Sequence, residues 1–190
     1  MSRVEEGTGP IVLLDACVLV PMTLRELLMM SAKRGLFRPR WTARIEDEIR
    51  RAILRREDAP PEAVLEGELA IARAEFPAAV VSGWEAIEGD LRLPDWNDRH
   101  VLAAAIAAEA DILLTDNHRD FPSRTLAGKG IERQGGDAFL WQLVGEAPFE
   151  MCQVARDFSG MATMTEDQAL RHFKKARLPR FAKALREYVG

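Results

Sequence analysis

Cysteine is scarce in this chain of 190 residues. Cys17 and Cys152 stand far apart, with no CxxC pattern and no histidine at ligand spacing, which removes structural zinc and a disulfide framework. Long hydrophobic runs are also missing: none approaches the roughly 20 residues that cross a bilayer. The opening MSRVEEGTGP carries acids where an export signal needs a basic head and has no cleavable apolar core, so the expectation is a cytoplasmic protein away from membranes. No internal repeat or low-complexity tract occurs. What is present is globular. Hydrophobic residues make up 47% and charged residues 29%, and the length suits one ordinary domain plus an appendage, burying roughly 70% of its unfolded surface.

The net charge of -4 conceals segregation along the chain. From Arg25 to Arg56 ten basic residues face four acidic ones, and from Glu57 to Asp90 nine acids accompany Arg73 alone. From Arg171 to Arg186 there are seven basic residues and no acid. Such runs fit a polyanion partner, and they equally fit solvated helix faces.

Ile11, Val12, Leu13 and Leu14 form a continuous apolar run of the kind buried on both faces of a parallel sheet, ending at Asp15. Thr23 and Glu26 read as a capping box opening a helix that Gly35 closes. A second helix is expected from Thr42 with Ile45, Ile49 and Ile53 on one face, and a third from about Pro61 to Glu75. Val80 and Val81 read as a short strand. DWNDRHVLAAAIAAEA reads as a helix ending near Ala110, and Ile112 to Leu114 as a second buried strand. A last strand is expected at Ile131 and a helix over 137–144. This order predicts an α/β fold with a central parallel sheet flanked by helices. Residues 148–190 read as a helical extension of the body at 10–147, with patterns over 149–158, 166–176 and 180–189. Its expected docking residues are Phe149, Phe158, Leu170, Phe173, Phe181 and Leu185.

In open parallel sheets the functional crevice lies beyond the carboxyl ends of the strands. Asp15 is there, as are Thr115, Asp116 and Asn117. Asp98 opens the helix before the second strand, and Glu48 flanks the apolar face of its helix while Glu46 and Asp47 take more solvated positions. Each acid has a plainer reading: Asp15 as a turn residue, Asp98 as partner of an Asp95 N-cap, Glu48 as partner of Arg44 or Arg51. Gathered at one crevice, however, like charges repel unless a divalent cation neutralises them. Oxygen ligands alone point to Mg²⁺ or Mn²⁺. His100 and His118 read as a helix-surface and a loop residue.

The segments IVLLDACVLVP, WTARIEDEIRR and LPDWNDRHVLAAAIAAEADILLTDNHRDFP together resemble the PIN domain and, within it, bacterial toxins of VapC type. The resemblance implies a PIN-like three-layer fold and an Mg²⁺- or Mn²⁺-dependent ribonuclease. It implies Asp15, Glu48 and Asp98 as the first three acids and metal ligands, with Thr115 supporting the first. The fourth position stays open between Asn117, which the family pattern selects, and its charged neighbour Asp116. Asp120 and Phe121 fall on the structural end of that loop.

The same resemblance implies an RNA substrate, a small antitoxin that blocks the pocket, and a homodimer. A maturation nuclease outside toxin-antitoxin systems and a non-catalytic RNA-binding protein are the alternatives. A phosphoryl-transfer fold with an aspartyl nucleophile would also explain Asp15, but Cys17 stands where the haloacid-dehalogenase pattern has a second Asp, and neither the acidic pair nor the late Lys of a receiver domain is evident; it stays a minor alternative. On the expected helix over 166–176, Arg171, Lys174 and Lys175 share one face, and with Arg177 they form a candidate RNA-binding strip.

Overall fold

The two apolar runs form the central strands of a four-stranded parallel sheet in a computed structural model that describes residues 9–189. The expectation that the chain opens without an export signal falls, for residues 1–8, outside the described residues. β1 (Ile11–Leu14) pairs on one side with β2 (Arg38–Arg40) and on the other with β3 (Ile112–Leu114), and β3 carries β4 (Glu132–Gln134) on its outer edge. Leu14 lies opposite Leu114, and Val12, Leu13, Leu14, Leu113 and Leu114 are fully buried, as strands covered on both faces require. The edge strands read Arg-Pro-Arg and Glu-Arg-Gln; a proline is tolerated in a strand with one unpaired side. Without an apolar run β2 has no hydropathy signal, and the last strand begins just after Ile131.

Helices fill every crossover. α1 (Ala16–Leu19) and α2 (Met22–Lys33) connect β1 to β2. α3 (Ala43–Leu54), α4 (Glu62–Glu75), α5 (Glu85–Glu88), a 3-10 turn over Trp96–Asp98 and α6 (Arg99–Ala107) connect β2 to β3. α7 (Ser123–Ala127) precedes β4 and α8 (Gly136–Glu146) follows it. The result is an α/β fold with a parallel sheet between helices. Gly35, at φ 76°, closes α2 in a left-handed conformation that a side chain would strain. Thr42 caps α3 by accepting the Ile45 N–H.

Four expectations are corrected. Thr23 does not cap α2: Pro21 occupies that position at φ -70°, and the Thr23 hydroxyl instead sits 2.8 Å from His172 Nε2. Val80 and Val81 form no strand; Val80 makes a single parallel bridge to Trp41, because the chain turns away after one pair of bonds. α6 stops at Ala107, since Glu109 adopts φ 50° and Ala110 N–H closes back on Ala105. Phe149 does not dock the tail. It is 71% exposed, while Met151, Val154 and Phe158 take the buried face of that helix.

The tail comprises α9 (Pro148–Met161), α10 (Glu166–Lys175) and α11 (Pro179–Val189). α9 packs on α2 and α8, and α11 packs on α8, α9 and α10. Phe173 is fully buried, its ring centre 5.4 Å from that of Phe158 and 5.2 Å from that of Phe181. Thr165 and Gln168 form the expected reciprocal cap at the start of α10. Asp137, on α8, accepts the backbone N–H groups of Arg180 and Phe181 at 3.1 and 3.0 Å and so caps α11 from a neighbouring helix. Replacing Asp137 by Ala should therefore cost about 1 kcal/mol, lowering the melting temperature by roughly 2–4 °C in a chain of this size. An unchanged melting curve would show that α11 is held by its apolar face alone.

Candidate active site

β1 leaves the sheet toward β2 on one side while β3 lies on the other, so the chain order reverses between β1 and β3. A crevice opens at that reversal, beyond the strands' carboxyl ends. Asp15 and Thr115 are the first residues past those ends, and both are buried. The Thr115 hydroxyl donates to Asp15 Oδ2 at 2.6 Å and accepts the Asn117 N–H at 3.0 Å. Cys17 Sγ donates to the same Asp15 oxygen at 3.1 Å and takes the Asp116 N–H at 3.3 Å. Burial and the adjacent Asp15 charge push the Cys17 thiol up to about 12, which keeps its proton available for that bond. Asp15 occupies the N-cap position of α1, yet its side chain makes no capping bond; the carboxylate is turned to the crevice instead.

Asp98 approaches from the turn before α6. It too makes no capping bond; Asp95 performs that task by accepting the Asn97 N–H at 2.8 Å. Asp98 Oδ2 accepts the Asn117 side-chain amide at 2.9 Å. Asp95, Asp98 and Asp120 each bring a carboxylate oxygen within 4.8 Å of the others. Asp120 thus turns its carboxylate toward Asp98 rather than serving only to end the loop. Its backbone N–H is held by Asn117 Oδ1 at 3.4 Å, and Arg133 secures the loop by donating to the carbonyls of His118 and Phe121 at 2.9 and 2.7 Å.

Glu48 is not one of that group of carboxylates; it faces a histidine. Its Oε1 lies 2.9 Å from His100 Nε2 and 3.9 Å from Arg44 Nε. His100 is not a surface residue. It is 1% exposed, packed near Trp84, and its Nδ1 has no hydrogen-bond partner among the described residues. Glu46, expected in a more solvated position, is instead 5% exposed, because the Trp41 indole donates to it at 2.7 Å and Arg73, on α4, lies 3.6 Å away. Asp116 is drawn out of the acidic group: its Oδ1 accepts the Gly136 N–H at 3.0 Å at the start of α8. A Cβ at Gly135 would sit 2.9 Å from that oxygen, so the glycine makes room for it. Lys174, Lys175 and Arg177 lie on α10 and the turn after it, and all three are exposed.

The site therefore joins Asp15, Thr115, Asp98 and Asn117, with Asp95 and Asp120 added. Asp95 and Asp98 stand three residues apart, and that spacing is the signal by which the pair could have been found. For Asp120 the sequence offers only its loop position, three residues after Asn117. The oxygen-only donor set fits a hard divalent cation.

The electrostatics agree with such a fit. Burial, and then the charges of Asp15, Asp95 and Asp120, raise Asp98 from an ordinary 3.8 to about 6, against a smaller opposing pull from His100. The folded state holds this proton more tightly than the unfolded chain does. Stability without metal should accordingly fall as pH rises from about 4 to about 6. At pH 7 in a chelator, Asp98→Asn should be more stable than wild type by ~1 kcal/mol, a figure discounted for the solvent that reaches this side chain. The advantage should vanish near pH 4. Chemical denaturation of both proteins at the two pH values measures it, and a variant less stable at pH 7 would make Asp98 a structural residue.

A model of the PIN domain family matches residues 11–119, which span every strand-end residue of the site from Asp15 to Asn117. No curated protein and no solved structure matches the chain. No helix among the described residues is long and apolar enough to cross a membrane. With more than half of its length matched, a parallel sheet of the expected order and acids gathered at its carboxyl edge, the chain belongs to the PIN domain family, a metal-dependent nuclease fold.

Proposed function

We propose that this chain is a ribonuclease dependent on Mg²⁺ or Mn²⁺ and that it serves as the toxin of a toxin-antitoxin pair. The observation that carries the catalytic half is the gathering of Asp95, Asp98 and Asp120 beside a buried Asp15, an arrangement that raises the energy of the ionised site. Asp98 would hold the cation with Asp95 and Asp120, whose oxygens converge with its own, and the family resemblance adds Asp15 and Glu48 to the ligands. When bound there, such an ion supplies an activated water and neutralises charge developing on a phosphodiester. Thr115 and Cys17 fix one oxygen of Asp15, and the Asn117 amide fixes one oxygen of Asp98, so both acids are oriented before substrate arrives. His100 does the same for Glu48 from within the helix that Asp98 opens.

The toxin role, the small antitoxin, the homodimer and the cytoplasmic setting rest on the resemblance to VapC-type proteins. On this reading Asn117, bonded to Asp98, fills the fourth position, and Asp116, bonded to α8, acts as a helix cap. The strip of Lys174, Lys175 and Arg177 holds the RNA backbone.

Asp15→Asn and Asp98→Asn should each lower the rate of metal-dependent RNA cleavage on the order of a thousandfold without unfolding the protein. Near wild-type rates in both variants would reject the site. The acid limb of the pH profile follows from Asp98: a protonated carboxyl cannot hold a cation. Below about pH 6 the metal concentration for half-maximal rate should rise about tenfold per pH unit. A requirement independent of pH would remove Asp98 from the ligand set.

For the tail, each phosphate contact contributes about 0.7 to the slope of log affinity against log salt on single strands. Replacing Lys174, Lys175 and Arg177 together by Gln should flatten that slope by about 2. An unchanged slope would return these charges to solvent or to an acidic protein partner.

A further inference from the structure

Two of the four tryptophans are buried, and the two that are exposed each carry an arginine on the ring. Trp141, on α8, has the Arg180 guanidinium carbon 4.2 Å from its ring centre. Arg180 belongs to α11, so that pair joins two helices and has a packing role. Trp96 has no such role. Its partner Arg99 is three residues away, at 4.5 Å from the ring centre, and Arg99 Nε also donates to the Trp96 carbonyl at 3.3 Å. The pair links nothing beyond its own turn.

Trp96 is nevertheless 70% exposed, one of the most exposed large apolar side chains among the described residues. Its place is fixed. Asp95 Oδ1 takes both the backbone N–H and the side-chain amide of Asn97, at 2.8 and 3.1 Å, which holds the 3-10 turn of Trp96–Asp98 in shape. Two residues on, Asp98 contributes to the acidic group. The Cα atoms of Trp96 and Asp98 are thus at most about 7.6 Å apart.

We infer that Trp96, backed by Arg99, is a stacking platform for an unpaired nucleobase next to the phosphate that is cut. The inference rests on the nuclease reading for its substrate but not for its test. Indole and guanidinium planes are the surfaces on which unpaired bases stack, and in a duplex the base faces are already covered. The Arg99 charge also offsets the negative field that the acids present to an incoming strand. An exposed indole beside a cleavage site, braced by a cation and a capped turn, meets both needs of such a substrate.

The test is binding without cleavage. Affinity for a labelled unstructured 12-nucleotide RNA, and for a blunt RNA duplex, is measured in EDTA with wild type, Trp96→Leu and Trp96→Phe. Stacking is worth about 5- to 150-fold in affinity per base. Trp96→Leu should weaken single-strand binding by about tenfold or more, Trp96→Phe by about threefold at most, and neither should change duplex binding or the melting temperature. Equal single-strand affinity in Trp96→Leu and wild type overturns the platform, as does a parallel loss on the duplex or a wild type that binds no single strand. Because no metal is present, a protein that shows the stacking pattern yet cleaves nothing when Mg²⁺ or Mn²⁺ is restored would defeat the nuclease reading and leave the platform standing.

Discussion

β1 and β3 lie side by side at the centre of the sheet with their inward residues removed from water, so neither strand can carry a charge along its length. Polar groups are displaced to the first residues beyond the strands. There the Thr115 hydroxyl meets Asp15 Oδ2, and this contact decides much of what surrounds it. A buried carboxylate without partners would be costly, and the hydroxyl and the Cys17 thiol satisfy one of its oxygens. By accepting the Asn117 N–H, the same hydroxyl sets the start of the loop that carries Asn117 and Asp120 to Asp98. Strand pairing and site assembly are one event.

The acids around Asp98 work against the fold. Burial and three neighbouring carboxylates hold its proton on to about pH 6, with only a smaller opposing pull from His100. A site of that kind trades stability for affinity toward a divalent ion. The rest of the chain compensates through a continuous core that runs from the sheet into the tail. Asp137 capping α11 and Thr23 bonding His172 tie that tail to α8 and α2, the helices that flank the sheet.

Much of this architecture is legible in the residues themselves. β1 and β3 announce themselves as continuous apolar runs, and Asp15 and Thr115 follow from where those runs stop. The caps at Thr42 and Thr165 are readable because a side-chain oxygen and its partner N–H sit three residues apart. β2 is not legible, because an edge strand needs only backbone bonds, and Arg-Pro-Arg has no pattern that distinguishes it from a loop. Glu46 and His100 depart from their expected surface positions for a related reason. A charged or polar residue near an apolar face is pulled in only when a distant group, here Trp41 or Glu48, offers it a bond.

The sequence by itself determined the class of fold, the two central strands, the helical tail and the type of donor available to a metal, since all of these depend on local pattern and residue chemistry. Tertiary structure decided which carboxylates meet. Asp98, Asp95 and Asp120 are brought together by a turn and a loop whose distance in sequence says nothing of their distance in space, while Asp116 is sent to the N-terminus of α8 by the free N–H of Gly136. A carboxylate's destination depends on which partner it reaches first, and only the folded chain sets that order.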